Sequence, residues 1–229
     1  TSFIKPKKCK IVIRLHGSDT YFCHLDQRPV KWINKFHEKR ALNNANGFIS
    51  VSQFTANLTN KVFGIHQEFT IIPNGIDITL FKNTIVKDQL NISNSRSDDE
   101  GRGEEVILYF GSLIRKKGLL ELPLIFNEVI KKNPNTKLIL VRKDVPDKIS
   151  GNKSTWQMMQ SLFTDEVKKK VNYLGSIEHT AIKKQIEKAS VCVFPSFAEA
   201  LPVSWLEAMA MEKAIVCANI GWANEIIED

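Results

Sequence analysis

From Glu105 to Asp229, short apolar runs alternate with longer stretches of helical patterning, and this alternation restricts the fold more than any other feature. The runs Val106–Phe110, Lys137–Val141, Val171–Leu174, Val191–Phe194 and Ala214–Cys217 read as buried strands. Between them Lys117–Lys132, Thr155–Phe163, Thr164–Lys170 and His179–Ala189 read as helices, with a last helix expected near Trp222–Glu228. Strands and helices at this spacing predict an α/β fold with a parallel, doubly wound sheet.

The N-terminal part is built the same way. Residues 11–15 and Gly47–Val51 predict strands, and Phe69–Ile72 predicts another. Residues 29–44 predict a helix, and Ser52 is placed to cap a second one that Gly64 closes after Phe63. Pro73-Asn74-Gly75 is a turn signal. Asn91–Gly103 is polar and charged without an apolar period, so residues 82–104 predict a linker or loop. The expected division is therefore 1–81, 82–104 and 105–229. There is no internal repeat beyond the alternation itself.

The most informative stretch is Val191–Met211, a strand, a loop and a helix. Pro202 suits the first turn of a helix, which places the helix start near Leu201, Glu199 in the loop and Glu207 within the helix. Between Ala200 and Met211, Glu207 is the only ionisable side chain. A buried carboxylate needs donors, and sugar hydroxyls are suitable ones. Glu199 follows the carboxyl end of a strand, where open α/β sheets bind ligands. The helix start near Ala200 and Leu201 offers N–H groups to an anion such as phosphate. Taken as two glutamates alone, the pair would read as surface carboxylates flanking a core helix.

A second group of residues is Gly111-Ser112-Leu113-Ile114-Arg115-Lys116-Lys117-Gly118, which joins a strand to a helix. Its glycines permit close backbone approach and its cations can neutralise a diphosphate, although the spacing is not that of a Walker A loop. His16, before Gly17, projects from the end of the first strand, and Gly221 follows the last one.

The string P-S-x-x-E-A-x-P-x-x-x-x-E-A-M-A at residues 195–210 resembles the Glu-x7-Glu motif of retaining GT-B glycosyltransferases, most of all group 1, family 4. The loop at 111–118 resembles that family's G-R-L-x-x-x-K-G, and Ile72-Pro73-Asn74-Gly75-Ile76-Asp77 recurs in the family before its interdomain linker. The resemblance implies a GT-B fold of Rossmann-like sheets, with both domains incomplete. Residues 1–81 would be the later half of the acceptor-side domain, and 105–229 a nucleotide-sugar-binding domain without its final elements.

Site roles follow from the resemblance as expectations. Lys117 matches the lysine that binds the donor diphosphate. Ser112 stands where an arginine is common, so Arg115 or backbone N–H groups would replace that contact. Glu207 would bond the ribose hydroxyls. Glu199 would orient the donor sugar and stabilise charge near its ring, and His16 would contact the sugar or its phosphate. Gly111, Ser112, Ala200, Leu201 and Gly221 would contribute backbone to the donor site. No base contact is assigned to Arg142–Asp144, which lacks the glycine of many relatives. His179, Trp156, Trp205 and Trp222 read as packing or surface residues.

The implied reaction moves a sugar from a nucleoside-diphosphate sugar, UDP- or GDP-linked, to a glycan or lipid-linked acceptor with retention of configuration. Neither a dedicated metal nor a cofactor is implied, and no Asp-x-Asp triplet occurs. The rivals are another enzyme on this scaffold, an epimerase of nucleotide sugars or a phosphorylase, and a non-catalytic nucleotide- or phosphate-binding module. As a fragment, the chain is expected to be inactive by itself.

Composition adds bounds. Hydrophobic content of 43% and charged content of 25% are those of an ordinary globular protein. No apolar run approaches the ~20 residues that span a bilayer. The four cysteines form no C-x-x-C pair and read as free thiols of a reducing compartment. A net charge of +7 suits a phosphorylated substrate or peripheral contact with an anionic membrane. Nucleic acid is not expected, because the cations are not interleaved with an aromatic platform. The implied location is cytoplasmic, at or near the inner membrane face.

Overall fold

The computed structural model describes residues 9–81 and 104–227. The expected linker, Glu104 apart, lies outside them. Two compact units are present: Thr1–Gly75 with Phe197–Pro202 and Ala218–Asp229, and Ile76–Ser196 with Val203–Cys217.

The first unit contains β1 (Val12–Leu15), α1 (Asp19–Leu25), α2 (Trp32–Asn44), β2 (Gly47–Ser50), α3 (Gln53–Phe63) and β3 (Thr70–Ile71). Its strands form a parallel sheet in the order β1-β2-β3. Leu15, Leu42, Phe63 and Ile65 make its core, with Ile13, Phe48, Val62 and Phe69 packed against them. Ser52 caps α3 by accepting from Thr55 N–H at 3.0 Å, and Gly64 ends it at φ 58°. The separate segments join this unit through their apolar side chains: Val51 clusters with Ala200, Leu201 and Ile226. Glu225 then caps α3 a second time, accepting from the N–H groups of Gln53 and Phe54 at 2.8 Å each.

The second unit contains β4 (Glu105–Phe110), α4 (Leu122–Lys132), β5 (Thr136–Val141), α5 (Thr155–Gln160), α6 (Asp165–Lys168), β6 (Val171–Tyr173), α7 (His179–Lys188), β7 (Val191–Phe194), α8 (Val203–Ala210) and β8 (Ala214–Cys217). The sheet is parallel throughout, in the order β6-β5-β4-β7-β8. Leu108, Leu138, Leu140 and Cys192 are completely buried, as strands covered on both faces require. The chain runs outward from β4 through β5 to β6, then returns to the other flank of β4 as β7. That reversal makes the gap between β4 and β7 the switch point of the sheet, where such folds bind ligands.

Several boundaries differ from expectation. The helix predicted from Lys117 begins at Leu122, because Arg115–Lys117 forms one 3-10 turn and Gly118 leaves it at φ 71°. The helix predicted near Leu201 begins at Val203, after Pro202. The final helix is a 3-10 turn at Ala223–Glu225. The helix α1 was not expected; its N-cap is Ser18, which accepts from Tyr21 N–H at 3.2 Å.

Candidate functional site

In the second unit the switch point is closed by its own backbone. A Cβ on Gly118 would lie 1.9 Å from the carbonyl oxygen of Pro195, so glycine alone lets the loop after β4 pass the loop after β7. A side chain here would also have to adopt the left-handed φ of 71°. Lys117 folds back over Gly111, its Nζ 3.4 Å from where a Cβ on that glycine would sit. The Ser112 carbonyl accepts from the Tyr109 hydroxyl at 3.1 Å, so this backbone is held from below. Gly111, Ser112 and Lys117 thus share one half-buried loop at the end of β4.

Arg115 has a different occupation from the one expected. Its Nε and Nη2 donate to the two carboxylate oxygens of Asp147 at 3.0 and 2.7 Å. Asp147 is buried and also accepts from Ser150 N–H and Oγ. The paired guanidinium, first among these causes, holds the Asp147 carboxyl well below the usual range. Arg115 therefore braces the cationic loop against the 145–150 segment, and a diphosphate would have to compete with a bidentate carboxylate for it.

Glu207 lies on α8, the helix that follows β7, and only 6% of it is exposed. Its Oε1 sits 3.2 Å from Nε2 of His179, the first residue of α7. The His179 ring in turn meets Phe81 edge to face at 5.3 Å. The sequence alone reads His179 as a packing or surface residue. A lone histidine carries no partner in the sequence, so only the fold, which places the start of α7 against α8, reveals the pair.

In the first unit Glu199 is half-buried, and its backbone is anchored. The Tyr21 hydroxyl donates to the Glu199 carbonyl at 3.1 Å. Thr55 Oγ1 reaches the Ala200 carbonyl at 3.4 Å, and the Asn74 amide donates to the Leu201 carbonyl at 2.9 Å. The Asn74 turn is itself gripped by Arg14, which donates to the Ile72 and Pro73 carbonyls. His16 is exposed immediately after β1. The turn beyond it needs Gly17, at φ 83°, because a Cβ would strike the Phe22 ring at 2.6 Å. Gly221 packs against the face of Phe54, 2.4 Å from a would-be Cβ, so its missing side chain makes room for a protein ring. Trp205 and Trp222 are completely buried.

The family model described as Glycosyl transferases group 1 matches residues 92–229, and that of Glycosyltransferase Family 4 matches residues 2–80. The chain belongs to the group 1 glycosyl transferases. Relatives among curated group 1 proteins include the Bacillus subtilis glycosyltransferase TuaC, named for teichuronic acid biosynthesis, 24% identical over 94% of this chain and 48% of its own length. A Corynebacterium glutamicum GDP-mannose-dependent monoacylated alpha-(1-6)-phosphatidylinositol monomannoside mannosyltransferase is 23% identical over 77% of this chain and 45% of its own. The chain thus spans about half the length of these relatives.

Among solved structures, Anabaena Alr3699/HepE in complex with UDP and glucose superposes with a TM-score of 0.69 at 22% identity, over 96% of this chain and 55% of that one. Sucrose-phosphate synthase from Thermosynechococcus elongatus gives 0.70 at 23% identity, over 93% and 51%. These likenesses establish the fold, Rossmann-like parallel sheets of the GT-B type.

Proposed function

We propose that the full-length protein transfers a sugar from a UDP- or GDP-linked donor to a glycan or lipid-linked acceptor, with retention of configuration and without a metal or cofactor. The observation that carries this reading is Glu207: a buried carboxylate, fixed by His179, on the helix that leaves the switch point of the sheet. A glutamate so placed is expensive to bury unless a ligand with hydroxyl donors uses it. A ribose is such a ligand.

In this reading Lys117 and the N–H groups of the Gly111–Gly118 loop hold the diphosphate and stabilise its negative charge as the sugar departs. Arg115 keeps that loop in place. Glu199 orients the donor sugar, and the Tyr21, Thr55 and Asn74 bonds to residues 199–201 fix its backbone. His16 acts on the sugar or its phosphate. Gly111 and Ser112 contribute backbone to the phosphate site. Ala200, Leu201 and Gly221 serve mainly to shape the structure around it. The expected division at residues 1–81 and 105–229 assigns acceptor and donor to separate domains. UDP accompanies the related Anabaena protein, and GDP-mannose is named for the Corynebacterium one. Among the described residues no helix is long and apolar enough to cross a membrane. The net charge of +7 supports a cytoplasmic protein working at an anionic membrane face.

Calorimetry on the full-length protein with UDP and GDP tests the reading. Binding of at least one is expected, and Glu207→Ala should weaken it about tenfold or more, the scale of a hydrogen bond to a charged group. Unchanged affinity would remove Glu207 from the ribose. Binding without sugar transfer to any acceptor would leave a nucleotide-binding module.

A further inference from the structure

A cleft of about 500 Å³ opens in the first unit between α1, α2 and α3. None of the residues assigned to the donor lines it. Cations converge on it from separate segments: Lys35 from α2, Lys61 from the last turn of α3 and Arg28 from the turn after α1. Among the described residues no carboxylate lines the cleft. Arg28 is delivered by the end of α1. Its N–H donates to the Cys23 carbonyl at 2.8 Å, with Gln27 turned to φ 52°, where glycine is the common choice. Asp26 accepts from Arg28 Nε at 3.0 Å and steadies the guanidinium. Burial pushes the Cys23 thiol up, so this wall residue adds no negative charge.

Thr20 belongs to the same wall. It is completely buried, and among the described residues its Oγ1 has no hydrogen-bond partner. Its backbone is satisfied, since Glu38 accepts from the Thr20 N–H at 3.2 Å. The hydroxyl alone is orphaned. A buried donor without an acceptor is costly, and beside a cationic cleft a ligand can supply what the protein does not.

We propose that this cleft binds a phosphate group, carried by a soluble phosphorylated molecule or by a lipid headgroup. Its negative charge meets Arg28, Lys35 and Lys61, and one of its oxygens accepts from Thr20 Oγ1. Donors arriving from three helices suit the tetrahedral oxygens of a phosphate better than a planar carboxylate. A volume of about 500 Å³ leaves room for the group that bears the phosphate. The site is built from the first unit alone, whereas the loop assigned to the donor diphosphate belongs to the second. The inference therefore does not depend on the nucleotide reading.

The test uses full-length protein carrying Lys117→Ala, so that the loop after β4 does not contribute. Inorganic phosphate is titrated by phosphorus NMR, and vesicles of phosphatidylglycerol in phosphatidylcholine are tested by co-sedimentation. Adding Lys35→Ala with Lys61→Ala should weaken binding about tenfold or more, and adding Thr20→Val about fivefold. Thr20→Val keeps the shape and removes the orphaned hydroxyl, so Tm should hold or rise while binding falls. Lys131→Ala with Lys132→Ala removes the same charge from α4 and should leave binding nearly unchanged. Loss confined to the cleft variants supports the proposal: in the phosphate arm alone it names a soluble ligand, and in the vesicle arm a lipid headgroup. Absence of binding in both arms overturns it, as do cleft variants that bind like the Lys131 and Lys132 control. Either result leaves the nucleotide site standing.

Discussion

The imidazole Nε2 of His179 lies 3.2 Å from Oε1 of Glu207, one side chain half exposed and the other 7% exposed. The contact ties the first residue of α7 to the middle of α8. It also directs the carboxylate, since an oxygen committed to the imidazole leaves the other for a ligand.

His179→Ala is expected to raise the Kd of the preferred nucleotide about fivefold to tenfold, from loss of roughly one hydrogen bond. His179→Gln, which keeps an N–H donor, should recover much of the loss. Calorimetry on the three proteins checks this. A purely space-filling role would not be rescued by the amide.

Gly118→Ala should be severely destabilising. The new methyl would sit 1.9 Å from the Pro195 carbonyl oxygen at a φ of 71°. Neither atom is the end of a flexible side chain, so the two loops must separate. A loss of ~3 kcal/mol or more is expected, read as a drop in urea midpoint.

The Asp147–Arg115 pair sets an acid limit. The folded-state pKa of Asp147 is depressed, first by the Arg115 hydrogen bonds. Its stabilisation is therefore complete above the unfolded value of about 4 and is lost as pH falls below it. Asp147→Asn should cost about 2 kcal/mol at neutral pH, where it removes a buried charge-assisted bond. The difference from wild type should shrink as unfolding curves are repeated towards pH 3.

Tyr21 stands under the Glu199 loop, its hydroxyl bonded to the Glu199 carbonyl. Burial pushes its pKa up to about 12, so the phenol stays a donor through the working range. Tyr21→Phe should cost about 1 kcal/mol of stability. It should also lower kcat with little change in nucleotide Kd, because it loosens Glu199 and leaves Glu207 alone. Equal losses in both constants would contradict that division.

Thiol reactivity should separate two cysteines. Cys192 is completely buried, and burial raises its pKa to about 12, whereas Cys9 is exposed. Iodoacetamide at pH 8 should label Cys9 in the native protein and Cys192 only after denaturant is added, as mass spectrometry would show.

Much of this was legible in the chain. Ala214–Cys217 and Val191–Phe194 are strands as read, because parallel strands are written as short β-favouring runs, but only Val191–Phe194 is largely buried; Ala214–Cys217, expected buried, is an exposed edge strand. Ser52 and Gly64 bound α3 as their capping chemistry predicts. The helix expected from Lys117 begins instead at Leu122, because Arg115–Lys117 is a 3-10 turn that Gly118 ends at φ 71°. Nothing in the sequence links Arg115 to Asp147, which is distant along the chain, so their ion pair was not legible there.

By itself, then, the sequence determined the alternation of strand and helix, the parallel sheets and the family, because periodicity and a dense local motif survive without knowledge of contacts. Only the tertiary structure decided which charges are already neutralised and which carboxylate is held in place. It paired Arg115 with Asp147 and His179 with Glu207. Such pairings depend on strand order, and strand order brings together residues whose separation along the chain carries no signal.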